Sequence, residues 1–375
     1  MKVHLIFACA KGGVESVLSE LLERVDADSL LINISRTGWS FNSFRNQKVR
    51  LRTIHYTGFL GFCCALFRAL IYIKKAKPEL IIGWMYKANL LAFVSGLIFS
   101  IPTLWTIHNG DLKVYKEKLS YRIFFFVGRV LSRYVNRVIY CSDFCFREHT
   151  NAGFERRNSE VIVNGHSETN FMICKLAGAN FRQVHNISKR STVVGWVGRP
   201  HRVKNLALFL DICSELFVEN ENIVGVVCGV SRSEFDSLVS PKSRKNDLRI
   251  VLTGRLNSSD LMAAYNAFDV LCLTSVSEAS PNVIFEAQLC GCLAVASPVG
   301  DLIDYFASED RLGCVSADVK TESFLSVLRT YSQVGFLKEY AEYRRSAVID
   351  RYSIAKMVEA YGAAWDRAAK TEVEA

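Results

Sequence analysis

Two carboxylates, Glu278 and Glu286, stand eight positions apart in an otherwise apolar stretch, SVSEASPNVIFEAQLCGC, from Ser275 to Cys292. The run DVLCLTS before them has the composition of a buried strand, so VSEAS is a loop at its carboxyl end. Ser280 fits an N-cap and Pro281 the first helical position, which starts a helix near Asn282. At about 100° per residue, Val283, Ala287 and Cys290 form its buried stripe, with Glu286 only about 60° from Val283. A carboxylate at the border of a buried face needs donors, and a ribose diol offers two. Glu278, in the loop, is placed to reach whatever lies beyond a bound diphosphate. An acid/base pair is the other chemistry two such groups can do.

Three further clusters follow strand-like runs. In GWVGRPHRVKNLALFL, Arg199 and Lys204 flank the entry of a helix with Arg202 between them. Cations belong at the other end of a helix dipole, so an anionic ligand such as a diphosphate would resolve the conflict. In TIHNGD, His108 ends a strand and can hydrogen-bond a hydroxyl or developing charge. In ACAKGGVES, Gly12 and Gly13 allow close backbone approach at a helix start. Neither GxGxxG nor the Walker pattern is present there, and a plain tight turn is the alternative.

These clusters need a scaffold that brings strand ends together. The runs KVHLIFA, SLLINI, ELIIGWM, TLWTIH, RVIYCS and EVIVN alternate with amphipathic segments, which predicts a parallel sheet covered on both faces. A polar stretch over 165–191 follows, and the pattern restarts with TVVGWVG, IVGVVCGV, LRIVLTG, DVLCLTS and CLAVASP. The expectation is two Rossmann-like α/β domains over 1–185 and 186–352, with a closing helix over 353–375. Ligands of such sheets bind at the carboxyl ends of the strands, where all the clusters fall.

The 375 residues suffice for two cores. Twelve cysteines without CxxC spacing read as small core residues of a reducing compartment, and no signal peptide is visible. The apolar runs GFLGFCCALFRALIYI and NLLAFVSGLIFSIPTLW are interrupted by Arg68, and by Ser100 and Pro102, and read as buried helices. The net charge of +9 is lopsided: residues 1–185 hold 25 Lys and Arg against 13 Asp and Glu, the remainder 21 against 24. A one-sided positive field suits an anionic partner.

At EASPNVIFE and GRPHRVKN the sequence resembles the retaining GT-B glycosyltransferases of the family 4 type (glycosyl transferases group 1), with their E-x7-E and G-R-x4-K signatures. GRLNSSDLMAAYNAFDVLCLTS, VIVNGHSETNF, GGVE and His108 extend the likeness over most of the chain, while Ala279 and Ser280 replace the family's more usual Gly and bulky residue. The resemblance implies two Rossmann-like domains facing across a cleft and a hexosyl transfer from a UDP- or GDP-sugar, without metal or other cofactor. It implies that Arg199 and Lys204 hold the diphosphate, Glu286 the ribose and Glu278 the donor sugar's hydroxyls. Backbone groups of Ser280, Pro281, Asn282 and Val283 would lie near sugar and phosphate, Gly13 by the diphosphate, His108 near the transferred sugar and Leu256 on the base. The acceptor is expected to be a glycan or a polyprenyl-diphosphate-linked glycan of bacterial O-antigen, capsule or lipopolysaccharide synthesis. That places the protein in the cytoplasm, peripheral on the inner face of the membrane.

In KLSYRIFFFVGRVLSRYVNRVIY, a helix would gather Lys118, Arg122, Arg129, Arg133 and Arg137 within about 100°, a face suited to anionic headgroups or simply to solvent. Among competing functions, a metal-dependent GT-A enzyme needs an Asp-x-Asp after a strand, and Asp26 and Asp28 stand before one. A UDP-sugar 2-epimerase shares the fold, and a non-catalytic nucleotide-sugar-binding protein would keep only the donor site. Nucleic-acid binding lacks any recognisable module.

Overall fold

The computed structural model describes residues 1–9, 12–110, 112, 119–238, 249–307 and 311–370. It divides into two compact units, one of Met1–Gly165 with the chain from Ile354 onward, the other of His166–Ser353. The first unit therefore ends before the expected boundary at 185. The cause is the helix Lys175–Val184, which is fastened to the helix Ser258–Ala267. A Cβ at Gly178 would lie 2.4 Å from the Asn266 carbonyl oxygen, and the Arg182 guanidinium donates to the Ala267 carbonyl at 2.6 Å.

The first unit is built on β1 (Lys2–Ile6), β2 (Ser29–Ser35), β3 (Val49–His55), β4 (Leu80–Trp84), β5 (Thr103–Ile107), β6 (Arg137–Tyr140) and β7 (Ser159–Val161). They form a seven-stranded sheet in the order β3-β2-β1-β4-β5-β6-β7, and every pairing is parallel. The order reverses between β1 and β4. Because parallel crossovers are right-handed, helices that step one way along the sheet cover one face and those that step back cover the other. Helix α1 (Gly13–Arg24) shares its face with the helix Ile354–Lys370, and Leu18, Leu21 and Trp84 pack with Met357, Tyr361 and Trp365.

Helices α2 (Gly58–Ala76) and α3 (Tyr86–Phe99) cover the opposite face, where Ala65, Ala69, Ala88 and Leu91 pack on Val3, Leu5 and Ile81. The helix Leu119–Leu131 lies beside α3, with Lys87 over the Phe124 ring at 5.9 Å. The sequence reading of α2 and α3 as buried helices needs correction. Ala65, Ala69 and Ile73, four apart, put one stripe of α2 on the sheet, while Phe59 and Leu60 are each 78% exposed and Phe67 64%; α3 buries Ala88, Leu91 and Ala92 but leaves Leu97 and Ile98 exposed.

The expected five-residue basic helical face also breaks up. The helix ends at Leu131, a 3-10 turn carries Arg133, and Arg137 lies on β6 with its guanidinium 3.6 Å from Glu160. Lys118 lies outside the described residues.

The second unit holds β8 (Thr192–Val197), β9 (Ile223–Cys228), β10 (Ile250–Gly254), β11 (Val270–Leu273), β12 (Leu293–Ala296) and β13 (Gly313–Val315). They make a six-stranded parallel sheet in the order β10-β9-β8-β11-β12-β13, with a reversal between β8 and β11. Alternate strand residues feed two cores, Leu271 and Ala294 on one side, Val270 and Leu293 on the other. Among the described residues, no helix is long and apolar enough to cross a membrane.

Candidate functional site

The loops after β8, β10, β11 and β12 leave one edge of the second sheet, and the first and third of these flank the point where the strand order reverses. Open α/β sheets bind ligands at such a point, where diverging loops leave a crevice. Arg199, Lys204, Glu278 and Glu286 come from these two loops and the helix that follows the second.

The two loops are stitched together. The Thr274 hydroxyl, at the end of β11, donates to the Lys204 and Asn205 carbonyls, 3.1 and 2.9 Å away, while it accepts from the buried Trp196 indole N–H at 3.1 Å. The Val276 N–H donates to the Val203 carbonyl at 2.9 Å. A 3-10 turn, Arg202–Lys204, thus carries Lys204 ahead of the helix Leu206–Glu219, and Asn205 makes the bend in a left-handed conformation. Lys204 Nζ donates to Glu278 Oε1 at 2.5 Å, and the Ser275 hydroxyl donates to the same oxygen at 2.6 Å. The cation at a helix entry, for which the sequence suggested an anionic ligand, is answered here by Glu278. An ammonium has three donors, so the pair leaves Lys204 with capacity for a phosphate. Arg199 is exposed to solvent at the head of the same loop.

Glu286 lies on the helix Asn282–Leu289, whose cap position falls on Pro281, one residue later than expected for Ser280. The buried set is Ile284, Phe285, Ala287, Gln288 and Leu289, wider than the anticipated stripe, and it leaves Asn282, Val283 and Glu286 half-buried. The Tyr265 hydroxyl donates to Glu286 Oε2 at 2.9 Å. Burial, and the Glu286 charge after it, raise the Tyr265 phenol well above its usual range, so it stays a proton donor. Sequence reasoning missed Tyr265 although AAYNAFD lay within a matched segment. Its partnership depends on how two helices pack.

Glycine seats the remaining loop. Gly300 has φ +59° and sits where a Cβ would meet the Glu278 carbonyl at 2.9 Å, so the loop after β12 supports the backbone of Glu278. Leu256, after β10, is half-buried against the core that contains Ala287. Ala279 and Ser280 lie half-buried between Glu278 and the helix.

In the first unit, Gly12 caps α1 in an extended conformation and Gly13 begins that helix at the end of β1, beside the reversal of the strand order. Ala10 and Lys11 of that loop lie outside the described residues. His108 follows β5, its ring stacked on Trp84 at 5.4 Å. Neither ring nitrogen of His108 finds an oxygen or nitrogen partner among the described residues. The Cys141 thiol is pulled below the usual thiol range by its hydrogen bond with Cys145 and, behind that, by His108.

Met85, which joins β4 to α3, adopts φ 71°, ψ 163°, a conformation close to glycine's alone. Its sulfur accepts from the backbone N–H of His108 at 3.4 Å. Nothing in GWMYKAN signalled that strain. Asp26 and Asp28 lie in the turn between α1 and β2, at the opposite edge of this sheet, and Asp26 is paired with Lys48.

Residues 11–168 match the family described as Glycosyltransferase Family 4, and residues 191–331 match Glycosyl transferases group 1. The chain is 22% identical over 388 aligned positions to an uncharacterized 41.2 kDa protein in the cps region of Klebsiella pneumoniae, covering 96% of this chain and 98% of that one. Its fold is similar to HepE of Anabaena, solved in complex with UDP, with a TM-score of 0.81, 16% identity and coverage of 96% and 98%. It is also similar to WaaG, a glycosyltransferase involved in lipopolysaccharide biosynthesis, with a TM-score of 0.76, 15% identity and coverage of 97% and 98%.

Proposed function

We propose, for a chain that is a glycosyltransferase of the GT-B fold, that it moves a hexosyl group from a nucleotide-diphosphate sugar to a glycan or polyprenyl-diphosphate-linked acceptor. The transfer retains anomeric configuration and uses no metal. A UDP-sugar is the preferred donor and a GDP-sugar the second choice. The setting is assembly of a bacterial cell-surface polysaccharide, O-antigen, capsule or lipopolysaccharide, on the cytoplasmic side of the membrane. The UDP-bound HepE, the lipopolysaccharide role of WaaG and the cps-region relative support the donor and the setting.

The observation that carries the reading is the pairing of Lys204 with Glu278, beside the Tyr265–Glu286 pair, at the reversal point of the second sheet. In this reading Arg199 and Lys204 hold the diphosphate, with charge-assisted bonds each worth roughly 1.5–3 kcal/mol. Glu286, held by Tyr265, accepts from the ribose hydroxyls, and Leu256 packs on the base. Glu278 accepts from donor-sugar hydroxyls, and the backbone of Ser280 to Val283 serves sugar and phosphate. Gly13 serves the diphosphate and His108 the transferred sugar.

An acceptor oxygen forms the new bond to the anomeric carbon as that carbon's bond to the phosphate oxygen breaks. The acceptor's proton passes to the leaving phosphate, and the nucleoside diphosphate departs. Both glutamates then orient the donor, and neither needs to be a nucleophile.

The test is a thermal-shift screen of the full chain against UDP-, GDP- and ADP-sugars, repeated with Glu286→Ala and Lys204→Ala. Stabilisation of wild type that both variants lose supports the assigned roles, and equal stabilisation of all three overturns them. NMR of the product's anomeric configuration, with and without chelator, tests retention and metal independence.

A further inference from the structure

The outer surface of α2, α3 and the helix Leu119–Leu131 is apolar where the surface of a folded unit is normally polar. Phe59, Leu60 and Phe67 of α2 are exposed, as are Leu97 and Ile98 of α3. On the third helix Ile123, Phe126 and Val130 are exposed at i, i+3 and i+7, which puts them on one side. The three helices lie on the same face of the first sheet, α3 between the other two. Their exposed residues therefore adjoin. Large exposed patches of this kind mark a surface that meets something.

The charges say what. No Asp or Glu occurs anywhere in residues 58–76, 86–99 or 119–131, while Arg68, Lys74 and Lys75 lie on the exposed side of α2. Arg122 and Arg133 are exposed on or just after the third helix, and the Arg129 guanidinium lies over the Phe126 ring at 4.9 Å. Apolar side chains interleaved with cations, with no acid on the three helices themselves and Glu155 near Arg133 just beyond them, match the boundary between anionic headgroups and acyl chains. A second copy of the chain fits poorly, because a two-fold pairing would set these cations against themselves.

We infer that the outer face of α2, α3 and the helix Leu119–Leu131 docks on an anionic lipid bilayer, with the apolar side chains entering the headgroup region and the cations meeting lipid phosphates. This names a partner for the acceptor side of the proposed function and rests on it only for the membrane setting.

The test is co-sedimentation of the full chain with phosphatidylcholine vesicles, with and without phosphatidylglycerol, at low and high salt. Binding to the anionic vesicles that weakens with salt is expected. The Arg122→Glu/Arg133→Glu variant should lower partitioning roughly tenfold or more, since each cation near such a surface contributes separately. Leu97→Ser/Ile98→Ser should lower it comparably, and a control without vesicles checks that both variants keep the wild-type melting temperature. No binding to anionic vesicles at low salt, or binding that both variants leave unchanged, overturns the proposal. So does a wild-type dimer that Leu97→Ser/Ile98→Ser turns to monomer without any vesicle binding. Nucleotide-sugar stabilisation measured without vesicles reads the donor site alone, so its failure counts against the functional reading and not against this one.

Discussion

Lys204 and Glu278 are each other's counter-ion: Nζ and Oε1 stand 2.5 Å apart, with the two side chains only 23% and 12% exposed. Residues 74 positions apart in sequence thus share one position in the site. Neutralising one partner leaves the other half-buried without its match. Glu278→Gln should lower stability by about 1–3 kcal/mol. It should also release Lys204, so that UDP binds as well as before or better while the extra affinity of the UDP-sugar over UDP disappears. Lys204→Met should weaken both ligands about tenfold or more. Calorimetric titration of the two ligands separates these outcomes, and equal losses for both ligands in Glu278→Gln would sink the sugar-facing role.

The hydroxyl of Tyr265 holds Glu286 from a neighbouring helix. Tyr265→Phe deletes that hydroxyl and little volume, so the expected effect is a stability loss of roughly 1.5 kcal/mol and several-fold weaker nucleotide binding. Nucleotide titration of the folded variant is the measurement. An unchanged affinity would leave Tyr265 as a packing residue only.

Met85 inverts an ordinary preference. Alanine is normally more stable than glycine in a structured segment, but at φ 71°, ψ 163° every side chain is strained. Met85→Gly should therefore be more stable than Met85→Ala by about 1–2 kcal/mol, as read by denaturant unfolding.

Three buried histidines make the protein acid-sensitive. Burial pushes His4 and His166 down to about 3 and His149 to about 4. These groups charge near pH 6.5 in the unfolded chain and stay neutral when folded, so below 6.5 the unfolded state binds more protons and stability falls. The effect fades above 6.5 and is nearly gone about one pH unit higher. Between pH 7 and pH 5.5 the three together should cost about 4 kcal/mol. Melting temperatures at the two pH values should show it, and His149→Gln should reduce the loss by about a third.

Much of this was legible because buried parallel strands announce themselves. KVHLIFA and ELIIGWM are continuous apolar runs, and β1 and β4 lie at the middle of the first sheet. By contrast β3, VRLRTIH, is an edge strand whose Arg50 and Arg52 break the run, and it escaped the reading. Glu278, Glu286 and Lys204 were picked out as candidates by spacing, which the loop and helix geometry imposes locally. Tyr265 and Gly300 were not, because their roles arise from contacts between separate segments. The composition of α2 misled for a related reason: Ala65 and Ala69 suffice to pack it on the sheet, and no sequence pattern says that nothing covers Phe59 or Phe67.

The helix Ile354–Lys370 closes the core that β1 and α1 begin. During synthesis the ribosome makes that first part before the closing helix, with the whole of His166–Ser353 emerging in between. Leu21, Leu22 and Trp84 wait throughout for Tyr361 and Trp365. The second unit, encoded without interruption, can finish folding first, so the apolar face of the first unit stays open until the closing helix has emerged.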